Sequence, residues 1–495
     1  MSIDLLRKSL TEDAQKLIAA YKDEWIALGP EMVAGSVTCH DPATGEVNWV
    51  VPDLSKYAVN YAVSKSKEAQ SKWLSIPAAK KAELLHACAT AILSHKGKIA
   101  QLLALETGKS ITTECRGEVE LCAGIFKYFA GLVHEVKGKT IQAGPKLLGF
   151  TTHHPWGVVA GIVPWNVPLM FMGYKLATPL AAGNSVIIKI PEQATATLLY
   201  CRELFKEILP DGLVFMVTGS GAGVGSALVS HSGIDKISFT GSVETGRMIY
   251  KQAADRLVST TLELGGKSPM VVLEDCDLDK AVEGAFASMR FTRAGQSCTA
   301  ASRIYVHKNR IDAFCTALGA RLDALVIGDP LDDAIDCGPV ATKPQLQRIQ
   351  RYLDLAISDK LDVQSYGKQA WGGQKGWYLQ AHLIFSPDIH HAVSQEEIFG
   401  PVATVTAYDN IQDVLQAANA TPFGLAASVW GKDISACLQL SQGFRAGIVQ
   451  INQNAVMLPG FSYGGVGISG IGKEGSLEAM LETYTYEKTN IVNFG

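Results

Sequence analysis

What the chain lacks narrows its class first. No Cys-x-x-Cys pair occurs among its ten cysteines (39, 88, 115, 122, 201, 276, 298, 315, 337 and 437), and no Cys/His group has zinc-site spacing. Scattered thiols of this kind read as the reduced cysteines of a cytoplasmic protein. No uncharged apolar run reaches about 18 residues, so no membrane-spanning helix is expected. Residues 1–17 mix acids among their apolar positions and carry neither the apolar core nor the cleavage site of a signal peptide. The net charge of −4 leaves no broad basic field, which argues against nucleic-acid binding as the main task. Low-complexity tracts and obvious internal repeats are also missing. What remains is ordinary globular composition, 47% apolar and 19% charged, in a 495-residue chain long enough for two or three domains.

The pattern along the chain points to an α/β fold. Residues 1–35 read as a helical lead-in, and Asp41-Pro42-Ala43-Thr44-Gly45-Glu46 as a turn between two short strands. From about 55 to 130, apolar residues recur at spacings of three and four. After 156 the texture changes. Short apolar strands at 157–163, 185–190, 214–217 and 236–239 alternate with helices from 168, at 194–208, near 223–230 and at 243–256. A second alternation begins at 268–273 and continues through helix 278–292, strand 303–306 and helix 311–325. Alternation at this spacing predicts parallel sheets covered on both faces, with ligands bound at the carboxyl ends of their strands. The boundary between the two α/β units falls near 260.

Several residues carry candidate chemistry. Cys298 ends the run Arg293-Ala294-Gly295-Gln296-Ser297-Cys298, and Glu263 stands in Leu262-Glu263-Leu264-Gly265-Gly266-Lys267. A thiol is a nucleophile only as thiolate, so it needs surroundings that lower its pKa. A carboxylate without an evident cationic partner can act as a general base if its pKa is raised. Taken alone, each reads more simply as a buried thiol and a surface carboxylate. Pro164-Trp165-Asn166-Val167-Pro168 fixes an amide between two prolines, which suits either an oxyanion hole or a turn. Lys189 and Glu192, at a strand end, suit a ribose, and Glu192 would repel a 2′-phosphate; taken without context they read more simply as two solvated charges. Phe239-Thr240-Gly241-Ser242-Val243-Glu244-Thr245-Gly246 opens a helix whose N-terminus suits a pyrophosphate or is a plain cap. The glycine-rich stretch 218–225 does not fit the G-x-G-x-x-G fingerprint. Glu396-Glu397-Ile398-Phe399-Gly400-Pro401 offers a carboxylate and an aromatic wall, or simply a turn.

Together, Pro164-Trp165-Asn166, Lys189-Ile190-Pro191-Glu192, Phe239-Thr240-Gly241-Ser242 with Gly246, Glu263-Leu264-Gly265-Gly266-Lys267, Gly295-Gln296-Ser297-Cys298, Glu397-Ile398-Phe399-Gly400-Pro401 and Ser469-Gly470-Ile471-Gly472-Lys473-Glu474 resemble the aldehyde dehydrogenase superfamily, from about Asp41 to the end. The resemblance implies a Rossmann-like parallel-sheet cofactor domain (1–129 and 151–260), a second α/β catalytic domain (261–470) and a small β oligomerisation element (130–150 and 478–495). The last would bridge homodimers or homotetramers. It implies NAD, with NADP less favoured, and an NAD-dependent oxidation of an aldehyde to the acid. Cys298 is then the nucleophile, Glu263 the base for the deacylating water, and Asn166 with the Cys298 backbone N–H the oxyanion hole. Lys175 and Glu474 match positions of a proton relay. For the cofactor, Trp165 and Ser242 would flank the pyrophosphate, Lys189 and Glu192 hold one ribose and Glu397 the other, and Phe399 and the Leu264 carbonyl set the nicotinamide. Ile162, Val163, Gly221, Gly225, Phe239, Gly241 and Gly246 complete that set.

The substrate is less legible. Val167, Phe171 and Tyr174 share a helix face by their spacing. By family position they, with Thr292, Ser297, Thr299, Val456 and Met457, would line the tunnel. The set is mostly apolar and lacks an arginine for a semialdehyde carboxylate unless Arg293 turns inward. It also lacks a complete aromatic box for a quaternary ammonium. An apolar or aromatic aldehyde is favoured. The alternatives are a semialdehyde, acyl transfer to CoA, and a non-catalytic structural protein on the same scaffold. Ser462-Tyr463-Gly464-Gly465 stands where the family usually has Pro-Phe-Gly-Gly, Gly467 replaces a frequent Lys, and Asn454-Ala455-Val456-Met457 is unusual.

Overall fold

The short apolar runs after residue 156 form strands buried on both faces, which is why they read as continuous rather than alternating. The computed structural model describes residues 2–373, 375–454 and 457–495. Strands Ser259–Glu263, Lys236–Thr240, Val158–Ile162, Ser185–Lys189 and Val214–Val217 lie side by side in that order, all parallel, with Gly470–Ile471 antiparallel at one edge. The chain starts this sheet at Val158–Ile162, runs outward through two strands, then returns to the other side of the first. The order therefore reverses between Val158–Ile162 and Lys236–Thr240, and a crevice opens at their carboxyl ends.

The N-terminal helix Lys56–Ser75 packs on this sheet, and Ala78–Ser94 and Arg116–Leu132 pack on helix Pro168–Ala181, so that Trp73, Phe126, Phe129, Ile187 and Ile188 share one apolar core. Helix Pro168–Ala181 runs through that core with every residue buried. Pro168 occupies its first turn, where a missing N–H costs nothing.

A second, seven-stranded sheet follows the order Asp362–Tyr366, Ala381–Phe385, Val402–Tyr408, Arg303–His307, Pro269–Val272, Ala426–Trp430, Ile448–Ile451. It is parallel except for the first pair. Met270 and Val272 enter one core, whereas Val271, between them, enters another on the opposite face, as pleat alternation requires. The helix expected at 278–292 stops at Ser288. Arg290 (φ 55°) and Ala294 (φ 49°) turn the chain left-handed there, and this break carries the backbone toward Cys298.

Strands Thr140–Gln142, Leu147–Pro155 and Thr485–Asn493 make a separate antiparallel sheet, with Thr485–Asn493 at one edge. Among the described residues no helix is long and apolar enough to cross a membrane.

Candidate active site

A cleft of about 730 Å³ opens where the six-stranded sheet reverses its order. Its wall includes Ile162, Val163, Trp165, Phe239, Gly241 and Ser242 from strand ends and the turns after them. Lys189 and Glu192, Gly221 and Gly225, and Leu264, Glu397 and Phe399 complete it. Gly246 is not on the wall. It is buried in helix Val243–Ala254, where a Cβ would meet Leu264 Cδ2 at 2.5 Å. Ser242 caps that helix by accepting the Thr245 N–H at 3.2 Å. Lys189 Nζ and Glu192 Oε1 pair at 2.9 Å. Ser220, whose N–H is held by Asp53 at 3.0 Å, caps the turn Gly221–Gly225 by accepting the Gly223 N–H at 3.0 Å. A missing fingerprint thus does not remove the glycine-lined turn from the cleft.

Cys298, Glu263 and Asn166 face the same cleft. Close packing around the nucleophile loop demands two glycines: a Cβ on Gly266 would meet the Cys298 carbonyl oxygen at 2.4 Å, and one on Gly295 (φ +66°) the Gly400 carbonyl at 2.0 Å. Asn166 is held from two sides. Its Nδ2 donates to Gln296 O at 3.1 Å, and its own carbonyl accepts from Lys109 Nζ at 2.8 Å. Lys109 is ion-paired with Glu118, whose other oxygen accepts the Leu169 N–H at 2.9 Å at the start of the buried helix. This clamp has no local sequence signal, because its members lie far apart in the chain. Cys298 does not sit in the acidifying environment that the sequence reading required. Burial pushes its thiol up to about 11, and the carboxyls of Glu397 and Glu263 push the same way.

Burial, reinforced by Glu474, also raises the Glu263 carboxyl well above its usual range. Neither of its oxygens has a hydrogen-bond partner among the described residues. Lys175 and Glu474 lie behind it, off the cleft wall, paired at 2.9 Å. Ser238 Oγ accepts from Lys175 Nζ at 2.8 Å and donates to Glu474 Oε1 at 2.7 Å. No hydrogen bond joins Glu263 to this trio.

The turn bearing Glu397 and Phe399 is fixed by Gly266 and by helix Lys343–Ser358. Glu397 Oε1 accepts the Gly266 N–H at 2.9 Å, and burial pushes its carboxyl up to about 7. Gln345 donates to the Ile398 and Phe399 carbonyls at 3.0 Å each, and Arg348 to the Glu397 carbonyl at 2.7 Å. Phe399, strained at φ 59°, meets Trp165 edge to face with centroids 5.4 Å apart. Gln345 and Arg348 also line the cleft and escaped the sequence reading.

Residues 31–490 match the model of the aldehyde dehydrogenase family. The chain belongs to that family. It is 35% identical over 444 residues to aldehyde dehydrogenase family 2 member B4, mitochondrial, of Arabidopsis thaliana, covering 89% of this chain and 82% of the relative. It is 34% identical over 453 residues to the mitochondrial benzaldehyde dehydrogenase of Antirrhinum majus, covering 90% and 84%. The NAD+ complex of the Bacillus cereus aldehyde dehydrogenase superposes with a TM-score of 0.90 at 33% identity, covering 93% of this chain and 94% of that one. As a member of the family the protein is an oxidoreductase acting on aldehydes.

In this aldehyde dehydrogenase a second cavity, about 190 Å³, reaches Cys298 and Asn166 from the other side. Val167, Phe171, Ser297, Thr299 and Met457 line it. Tyr174 and Thr292 do not. Tyr174 is buried edge-on against Phe129, with centroids 6.3 Å apart, and Thr292 Oγ1 is tied to Glu114 at 2.5 Å. Val456 lies outside the described residues. Met170, three positions after Val167, lines the cavity and was open to the same helical spacing. The exception left open for an arginine is met, for Arg293 reaches the wall, and Arg290, which the sequence reading did not name, reaches it too. Arg293 Nε donates to Glu114 at 2.9 Å. Although burial works to raise it, the guanidiniums of Arg293 and Arg290 hold the Glu114 carboxyl down to about 2.

Proposed function

We propose that the protein oxidises an aldehyde to its carboxylic acid with NAD, through a covalent Cys298 adduct. The observation that carries this reading is the convergence of a thiol, an unpartnered buried carboxyl and a clamped amide on one cleft at the sheet's switch point. The cleft suits a dinucleotide: its volume is sufficient, Gly221 leaves open space where a Cβ would stand, and Ser242 presents a helix N-terminus. Lys189 and Glu192 would hold one ribose, Glu397 the other, and Phe399 with the Leu264 carbonyl the nicotinamide. The NAD+ bound by the Bacillus cereus relative supports that assignment, and Glu192 favours NAD over NADP. When bound, oxidised nicotinamide supplies a positive charge beside Cys298 and the acceptor for the hydride that leaves its adduct.

The chain's own groups do the rest. Cys298 Sγ, as thiolate, adds to the carbonyl carbon. The alkoxide accepts N–H bonds from Cys298 N and from the second N–H of Asn166 Nδ2, the first being spent on Gln296. Losing one such donor costs on the order of 3 kcal/mol in the barrier. Departure of hydride leaves a thioester on Cys298. Glu263 takes a proton from water, the oxygen adds to the thioester carbon, and Cys298 departs as the acid forms. The raised Glu263 carboxyl suits a base working near neutral pH. Lys175 and Glu474 form the polar reservoir behind it.

The tunnel's Val167, Phe171 and Met457 support an apolar or aromatic aldehyde. A second reading, a semialdehyde whose far carboxylate meets Arg290, is favoured by that guanidinium's place on the tunnel wall. We assign the six-stranded-sheet unit (1–129 and 151–260) to the cofactor and 261–470 to catalysis. The element at 130–150 and 478–495 would bridge a homodimer or homotetramer, supported by the open edge of Thr485–Asn493. Ten free thiols support a cytoplasmic setting. The test is a product assay with benzaldehyde, hexanal and succinic semialdehyde, each with NAD or NADP and with or without CoA. NADH and free acid are expected from an apolar or aromatic substrate. Acyl-CoA as the sole product would move the protein to the CoA-acylating branch, and no NADH from any aldehyde would overturn the reading.

A further inference from the structure

Tyr463 places a phenol oxygen 3.1 Å from Cys298 Sγ. The position is enforced rather than incidental. Tyr463 and Glu474 exchange backbone hydrogen bonds of 2.7 Å in both directions. The side chain is 4% exposed and packs against Phe171, centroids 6.1 Å apart. A residue pinned at both backbone and ring cannot swing its hydroxyl away from the sulfur. A phenol O–H is a good donor, a thiol a weak one, and a thiolate a strong acceptor, so the contact strengthens when the sulfur loses its proton. Burial keeps the phenol protonated, raising it well above its usual range, and so preserves the donor. The surroundings make such a donor consequential. Of the other titratable groups facing the thiol, Glu397 and Glu263 both disfavour its anion, and Arg290 on the tunnel side is the nearby cation.

We propose that Tyr463 is a catalytic hydrogen-bond donor to the nucleophile: its O–H stabilises the anionic Cys298 sulfur before attack and again as that sulfur leaves the acyl carbon. The assignment rests on Cys298 being the nucleophile of the proposed reaction. It gives this chain a hydroxyl in place of the Phe usual in the family, on the tunnel side of the sulfur and away from the cofactor cleft. No proton is transferred from Tyr463; it remains the donor throughout.

The test is the pH dependence of Cys298 alkylation by iodoacetamide, followed by peptide mass spectrometry on the full-length protein without cofactor or aldehyde. In Tyr463→Phe the midpoint is expected to rise by about one pH unit, and the rate at pH 7.5 to fall by about tenfold, the usual weight of a hydrogen bond to a charged group. The thermal unfolding temperature should be unchanged, because ring and shape are kept. Tyr463→Leu removes the ring as well and should show the same midpoint shift. A folded Tyr463→Phe protein with the wild-type midpoint and rate would overturn the proposal. So would a shift seen only in Tyr463→Leu, since packing would then carry the effect. The alkylation readout is independent of turnover: a shift in a protein that oxidises no aldehyde overturns the functional reading alone, and turnover without a shift overturns this one alone.

Discussion

Lys175 Nζ and Glu474 Oε1 meet at 2.9 Å with both side chains sealed from solvent, and Ser238 donates to the same oxygen. Removing one partner of such a pair strands the other's charge in the core. Lys175→Met is therefore expected to cost about 3 kcal/mol of stability, and Lys175→Met combined with Glu474→Leu to recover most of it. Urea denaturation midpoints of the two variants decide this. Equal losses in single and double variants would mean that the two side chains do not act as a pair.

Glu263 should make stability depend on pH in a definite direction. Burial raises its folded-state pKa well above the usual 4.5, so the native protein keeps a proton that the unfolded chain releases. Its contribution is fullest below the unfolded value and is lost as pH rises toward the folded one. Glu263→Gln cannot titrate. Its melting temperature should match wild type near pH 4 and exceed it by a margin that grows as pH rises above the usual 4.5. A margin that stays constant or shrinks with pH would show that this carboxyl is ionised in the native state.

Lys189 and Glu192 pair at 2.9 Å on the cleft wall, and in the proposed cofactor placement Glu192 would set a carboxylate beside a 2′-phosphate. Glu192→Ser is expected to raise the ratio of kcat/KM for NADP to that for NAD by about tenfold, mainly by removing repulsion. Steady-state kinetics with both cofactors measure it. An unchanged ratio would place the discrimination elsewhere.

The fold was legible because its signals are local. Strands such as Ser185–Lys189 are buried on both faces and read as short apolar runs, and Ser242 announces its helix by capping it. The grouping of Cys298, Glu263 and Asn166 was legible through motifs rather than through any physical signal in the residues themselves. What stayed hidden is long-range. Lys109 clamps Asn166 across 57 positions, Gln345 holds the Phe399 carbonyl across 54, and Tyr463 reaches Cys298 across 165. Each is a polar group whose partner is chosen only when elements far apart in the chain pack together. The helix overrun past Ser288 has the opposite cause: the periodicity continued, but two left-handed residues broke the backbone.

The central claim is that the Cys298 sulfur carries the substrate as an acyl group until Glu263 directs water to it. Slowing the second step should let the first product accumulate. Mixing Glu263→Gln protein with NAD and benzaldehyde should give a full burst of NADH, steady turnover lower by about 10², and, on acid quenching, a benzoyl adduct mapped by peptide mass spectrometry to the Cys298 peptide. The same mixture with Cys298→Ala should give neither burst nor adduct. An adduct on another residue, or undiminished turnover in Cys298→Ala, would contradict the account.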